Sequence, residues 1–125
     1  MALGLNKVLL IGFAGKDPII HDNSGLITAR FSLATGNKYK DKNTGQLIED
    51  TEWHNIVCFS KLALIAQKIV KKGCRLYIEG SIKSSKYFKD NYEKLSFNII
   101  AKVLISVDSV KYNNDGVDNI EIANI

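Results

Sequence analysis

Residues 51–80 read TEWHNIVCFSKLALIAQKIVKKGCRLYIEG, and the order of elements inside this stretch decides the fold. The first nine residues alternate as a strand. Trp53, Asn55, Val57 and Phe59 share one face; His54, Ile56 and Cys58 share the other. A helix follows: Ser60 is an N-cap candidate, and Leu62, Ile65, Ala66 and Ile69 recur at the spacing of one helical stripe. Lys68, Lys71 and Lys72 enrich its last turns, where the macrodipole favours cations, and Gly73 fits a stop. A further strand, CRLYIEGSIKS over 74–84, resumes at once. One helix set between strands is the middle of this chain.

Strands extend outward in both directions. NKVLLIGF at 6–13 is apolar on both parities, with Leu9, Ile11 and Phe13 on one face and Val8 and Leu10 on the other. A strand apolar on both faces is covered on both, here by the core and by a second subunit. Residues 15–18, GKDP, read as a turn. LITARFSLAT at 26–35 sets Ile27, Ala29, Phe31 and Leu33 against Thr28, Arg30 and Ser32, the pattern of a half-buried strand. The lysine-rich segment 36–50 reads as a long hairpin or arm with a turn at Asn43-Thr44-Gly45. A basic loop over 83–94 leads to a last strand at 95–108, where Phe97, Ile99, Ala101, Val103, Ile105 and Val107 keep one parity. The order is three strands, one helix, two strands. That predicts an all-β fold, a five-stranded Greek-key barrel with one α-helix between strands 3 and 4, the OB layout.

Composition bounds the rest. The 125 residues are 46 % hydrophobic and 24 % charged, which fits one soluble domain with a real core. No apolar run approaches the roughly 20 residues of a membrane span, and no secretory signal opens the chain. Cys58 and Cys74 stand 16 positions apart, outside any paired motif, and read as buried thiols of a reducing compartment. With His21 and His54 the only histidines, neither a metal site nor a cofactor is expected. The net charge of +4 is unevenly spread: residues 1–112 carry 17 basic and 10 acidic side chains, while 113–125 carry Asp115, Asp118 and Glu121. A body of +7 points to a polyanion partner. The expected organisation is a barrel over 1–112 and a short, acidic, disordered segment over 113–125.

The residues do not assemble a catalyst. A nucleophile needs a base in reach, and neither histidine has such a context. No phosphate-cradling glycine loop is present. The aromatics say more. Trp53 and Phe59 share a strand face, Tyr39 stands between Lys38 and Lys40 with Lys42 beyond, and Tyr87 and Phe88 stand between Lys86 and Lys89 with Lys83 upstream. Rings interleaved with lysine suit a single strand, whose exposed bases stack at about 1–3 kcal/mol each while ammonium groups neutralise phosphates. Duplex DNA offers no free base faces.

At these residues the chain resembles bacterial-type single-stranded DNA-binding proteins. The stretches that carry the likeness are LNKVLLIG at 5–12, DP at 17–18, FSLAT at 31–35, TEWHNIV at 51–57, KLA at 61–63 and KKGCRLYIEG at 71–80. The resemblance implies an OB-fold homotetramer that binds single-stranded DNA without catalysis or sequence preference, in the bacterial cytoplasm at the nucleoid. It implies base stacking by Trp53, Phe59, Tyr39 and Tyr87; the lysine-interleaved pattern adds Phe88 to the expected set. Backbone contacts are expected from Lys7, Lys38, Lys40, Lys42, Lys61, Lys72, Lys83 and Lys86. His54, with Lys7, Leu9 and Ile11, is expected at subunit contacts. The family's early arginine is Leu3 here, and Gly12-Phe13-Ala14-Gly15 replaces the usual turn. Only Arg30 and Arg75 supply guanidinium groups. The family's long linker and Pro-Phe tip are not seen at 113–125, where weak docking of replication and repair enzymes is the expectation. Two alternatives share the fold: a primosome-type restart protein, and an OB adaptor that binds protein. Stacking does not read the 2′-OH, so RNA stays open.

Overall fold

The computed structural model describes residues 3–107 and the backbone of 121–124. Along the chain run β1 (Val8–Ala14), β2 (Ile19–Asn23), β3 (Leu26–Lys40), β4 (Leu47–Phe59), α1 (Lys61–Ile69), β5 (Arg75–Lys89), β6 (Tyr92–Ser106) and β7 (Glu121–Asn124). Five of the strands close a ring. β1 runs antiparallel to β5 from Val8↔Gly80 to Phe13↔Arg75, and β5 antiparallel to β6. β6 lies parallel to β4 through Asn55↔Asn98 and Val57↔Ile100. β4 runs antiparallel to β3, which returns to β1 at Phe13↔Ala34 and Ala14↔Leu33. The helix falls between the third and fourth strands of this ring, as in the OB barrel expected.

The closure is tight. A β-carbon on Gly12 would stand 2.2 Å from the Ala34 carbonyl oxygen, so only glycine lets β1 turn in against β3 there. The β5–β6 ladder shifts register where Glu79 and Gly80 pair with Val103 and Ala101, so Lys102 is the extra residue of a bulge on β6, a device that re-aims a barrel strand. Beyond it Leu104 faces the core, and the single parity expected from Phe97 to Val107 is not kept. The alternating apolar residues then meet inside: Ala29, Phe31 and Leu33 from β3, Ile56 and Cys58 from β4, Leu76 and Ile78 from β5, Ile99, Ala101 and Leu104 from β6. Leu62, Ala63 and Ala66 of α1 close one end of the barrel. Each fully buried Leu or Ile contributes about 1.5–3 kcal/mol.

Several local expectations change. β2 was not foreseen; it folds back on β3 through Ser24 and Gly25, both with positive φ, the two-residue turn that suits a hairpin. Residues 83–94 are not a loop. β5 and β6 run on as a paired hairpin to Lys89↔Tyr92, turning at Asp90 and Asn91 with φ of 54° and 66°. The arm at 36–50 is the hairpin expected, paired to Lys40↔Leu47; the Asp41 carboxylate accepts from the Asn43 N–H at 2.9 Å in its turn.

Ser60 does not cap α1 with its hydroxyl. It sits at φ 57°, its N–H donates to the Ile27 carbonyl at 2.8 Å, and its carbonyl accepts from Leu64. The helix stops at Ile69, with Val70 already extended, so Lys71 and Lys72 lie beyond it. The backbone of Glu121–Asn124 pairs with Val103–Ser106 of β6, which departs from a disordered end at those four residues. The rest of 113–125 and the boundary at 112 lie outside the described residues.

Candidate nucleic-acid interface

Register places the candidate side chains. Cross-strand partners share a face, so pairing fixes which residues look outward together. The pairs Arg30↔Val57, Ser32↔Asn55, Ala34↔Trp53 and Thr28↔Phe59 put these β3 and β4 residues on one outer face. The parallel pairs Asn55↔Asn98 and Val57↔Ile100 add β6. Lys83↔Asn98, Ser85↔Ser96 and Tyr87↔Lys94 add β5. The result is a continuous face across four strands.

Its floor is Val57, only 2 % exposed and yet outside the core cluster, with Phe59 half-buried beside it. Two adjoining hollows sit on this floor. One, of about 380 Å³, is lined by residues including Lys16, Ile19, Arg30, Ser32, Asn55 and Asn98. The other, of about 300 Å³, is lined by Arg30, Val57, Phe59, Lys83, Ser85, Asn98 and Ile100. Trp53 rises at one end with 57 % of its surface exposed. Its ring is braced by Gly15, where no side chain occupies the space between strand and indole.

The β5–β6 hairpin that borders this face is two-sided. Lys83, Tyr87 and Lys89 of β5 pair with Asn98, Lys94 and Tyr92 of β6 on the side continuous with the groove. The other side carries Ile82, Phe88, Leu95 and Phe97, all exposed. Its charges cancel, since Lys86 Nζ lies 3.4 Å from Glu93 Oε1.

The expected set is therefore divided. Trp53, Phe59, Tyr87 and Lys83 share the groove face, and Lys38 and Lys40 share its parity further along the β3–β4 arm. Lys38 is paired with Glu49 at 3.4 Å. Tyr39 pairs with Ile48 on the opposite pleat, and Lys86 and Phe88 are likewise on the far pleat of their own hairpin. Lys42 is exposed in the arm's turn, Lys7 precedes β1, and Lys61 begins α1. Lys72 lies in the turn between α1 and β5, its backbone N–H donating to the Asp17 carboxylate at 2.8 Å. Residue reasoning left out Arg30, Lys16, Asn55 and Asn98. The signal for Arg30 was present in the alternation over 26–35, whose polar parity is the groove face.

A second surface lies on β1. Leu9, Ile11 and Phe13 are all more than half exposed, while Val8 and Leu10 pack toward the core. A cavity of about 480 Å³ opens beside them, lined in part by Ile11, Phe13, Thr35, Glu49 and Arg75. His54 is half-buried on the inner parity of β4, its Nε2 2.8 Å from the Thr35 hydroxyl oxygen. Next to β1 on β5, the Tyr77 hydroxyl donates to Glu79 Oε1 at 2.5 Å. That bond raises the phenol's pKa, because only the neutral hydroxyl can donate it; desolvation and the nearby Glu79 charge push the same way.

A closed OB barrel with an open, cationic, aromatic-bearing outer face defines the class: an OB-fold domain. The chain belongs to the single-strand binding protein family, whose model matches residues 5–108. It is 41 % identical over 116 residues to the single-stranded DNA-binding proteins of two Neisseria meningitidis strains, of serogroups A and B. Those alignments cover 91 % of this chain and 66 % of the relatives' length. Among solved structures it is similar to a Plasmodium falciparum SSB in complex with ssDNA, with a TM-score of 0.74 and 34 % identity over 86 % of this chain and 99 % of that one. A small single-stranded DNA-binding protein from Streptomyces coelicolor shares the fold at a TM-score of 0.61 and 22 % identity, over 76 % and 87 % of the two chains.

Proposed function

We propose that this protein binds single-stranded DNA without strict sequence requirement, coating and protecting exposed strands in replication, recombination and repair. The observation that carries the reading is the single outer face on which Trp53, Phe59 and Tyr87 stand with Lys83 and Arg30 across four paired strands. Rings there can take successive bases while cations neutralise the backbone. The similar Plasmodium falciparum structure, solved with ssDNA, supports it. The site performs binding alone, with no cofactor.

The working form is a homotetramer. Leu9, Ile11 and Phe13 give a monomer an apolar strip on β1, and burial against a second copy would remove it from water. Lys7 and His54 belong to these contacts. The proposed place of action is the cytoplasm, at the nucleoid; among the described residues no helix is long and apolar enough to cross a membrane. The acidic residues Asp115, Asp118 and Glu121 are a weak docking point for replication and repair enzymes. The deciding experiment is a titration of oligo(dT) followed by Trp53 fluorescence, with the mass of the free and bound protein measured alongside. Saturable quenching by oligo(dT) and none by duplex supports the reading; a protein that ignores ssDNA refutes it.

A further inference from the structure

The β5–β6 hairpin has a side that strand binding leaves unused. The pleat that faces the core at Ile78 and Ile99 continues past the barrel through the pairs Ile82↔Ile99, Ser84↔Phe97, Lys86↔Leu95 and Phe88↔Glu93. There it carries Ile82, Phe88, Leu95 and Phe97, with Phe88 77 % exposed and the other three about half. Lys86 and Glu93 neutralise each other in their midst, 3.4 Å apart. Where the hairpin leaves the barrel, the Asn6 carboxamide clamps the backbone of Ile82, donating to its carbonyl at 2.8 Å and accepting from its N–H at 2.9 Å. That clamp steadies the root of the hairpin and so the surface it presents.

A hairpin with water on both sides needs no apolar residues on the side away from the groove, so these four call for a cover. The chain's own core does not supply one, because they project beyond it. A polyanion is a poor cover: the free cations of the hairpin, Lys83 and Lys89, stand on the groove side, and Lys86 is already engaged with Glu93. A second copy suits the strip. A two-fold contact sets it against itself and lets Lys86 of each copy meet Glu93 of the other. Its size is informative too. Four side chains at this exposure offer on the order of 400 Å², about half of the roughly 800 Å² that each partner of a stable complex buries. Such a contact is too small to hold copies together in free solution. It becomes effective when one strand holds two of them side by side at high local concentration. We propose that this side of the hairpin joins each DNA-bound protein to its neighbour along the strand and makes coating cooperative, a property that rests on the strand-binding reading above.

The probe is oligo(dT) of two lengths at fixed salt, one that holds a single assembled protein and one that holds several. The wild type binds each site of the long strand about tenfold more tightly than the short one, and at limiting protein single-molecule images show coated strands beside bare ones. Leu95→Thr combined with Phe97→Thr keeps strand-forming residues and removes the centre of the strip. In that variant the ratio falls to one, while affinity for the short strand and the mass of the free protein stay as in the wild type. Leu95→Thr alone, further out on the hairpin, lowers the ratio partway, and thermal unfolding confirms that both variants are folded. A ratio of one in a wild type that still binds the short strand overturns the proposal and leaves strand binding standing. An undiminished ratio in the double variant overturns it too. So does a double variant whose free protein falls to a smaller mass, which would put the strip inside the assembly, or one that loses affinity for the short strand, which would put DNA on it. A wild type that binds neither length fails the strand-binding reading itself, and this one with it.

Discussion

The indole of Trp53 lies so close to Gly15 that a β-carbon on that glycine would stand 2.6 Å from the ring's Cζ3 and 2.8 Å from the Ser32 hydroxyl. The glycine is fixed in place by its own N–H, which donates to the Ser32 carbonyl at 3.0 Å. One edge of the ring is thus braced by bare backbone while more than half of its surface faces solvent. Gly15→Ala must push the ring off this support. Binding of oligo(dT) is expected to weaken by about tenfold, within the 1–3 kcal/mol of one stacked base, while thermal unfolding still shows a cooperative domain. An unchanged affinity would mean that the ring position does not matter.

Trp53 is the one tryptophan in the chain, so its emission reports its own surroundings. Oligo(dT) is expected to quench it strongly and duplex DNA hardly at all. Trp53→Ala loses about 1–3 kcal/mol of binding. Tyr87→Ala loses less, since a phenol offers a smaller stacking area, and Tyr39→Ala least, since Tyr39 is on the opposite pleat of its hairpin. A larger loss at Tyr39 than at Tyr87 would show that the strand follows the other side of the arm.

Salt separates the two lysines of the β5–β6 hairpin. Each phosphate contact on a single strand contributes about −0.7 to the slope of log K against log salt. Lys83→Ala, on the groove face, is expected to shallow the slope by about one such contact. Lys86→Ala should leave it nearly unchanged, because Lys86 faces away and is engaged with Glu93. Equal effects of the two would contradict the division of the hairpin into two sides.

Assembly is read by mass. Ile11→Asp plants a charge in the apolar strip of β1 and is expected to shift the protein from tetramer toward smaller species at micromolar concentration. The core is untouched, because Ile11 faces outward. His54→Tyr, which adds bulk where the imidazole meets the Thr35 hydroxyl, should shift the mass in the same direction. Light scattering decides both, and a wild type that is already monomeric would defeat the claim.

Alkali tests the core. Burial pushes the Cys58 thiol up to about 12, from an ordinary value of 9.0, because a thiolate there would lose its hydration. Below about pH 9 the thiol is protonated in both the folded and the unfolded chain. Above it the unfolded chain ionises first, so stability falls as pH climbs toward 12, by up to about 1.4 kcal/mol per pH unit from this group. Cys58→Ala is expected to lose that part of the alkaline slope in urea melts at successive pH values. Identical slopes would place the thiol in a wetter setting.

Much of this was legible in the residues. Period-two alternation named the faces of β3 and β4 correctly, and the lone helical stripe at Leu62, Ile65, Ala66 and Ile69 placed α1 between the right strands. What stayed hidden depended on pairing. The segment 83–94 is too polar to show a core-facing period, because it projects beyond the barrel and both of its sides meet solvent. β2 is short and half-exposed, and its Ser24-Gly25 turn was the only local mark. The grouping of aromatics by neighbouring lysines could not separate Tyr87 from Phe88, since adjacent residues in a strand point to opposite sides. Register, a property of two strands and not of one, made that distinction.

The parallel meeting of β4 with β6 has a consequence for how the molecule is made. The segment that closes the ring, Asn98–Ile100, is among the last of the barrel to leave a ribosome. Until it arrives, β4 has an unpaired edge on the side away from β3. The chain therefore spends most of its synthesis as an open sheet with bare edges, and closure comes as one late, long-range event of the kind that folds slowly and is prone to mispairing. Nascent chains cut short before Asn98 are clients for chaperones rather than weak binders, because the groove floor that would hold a strand is completed by the same few residues that shut the barrel.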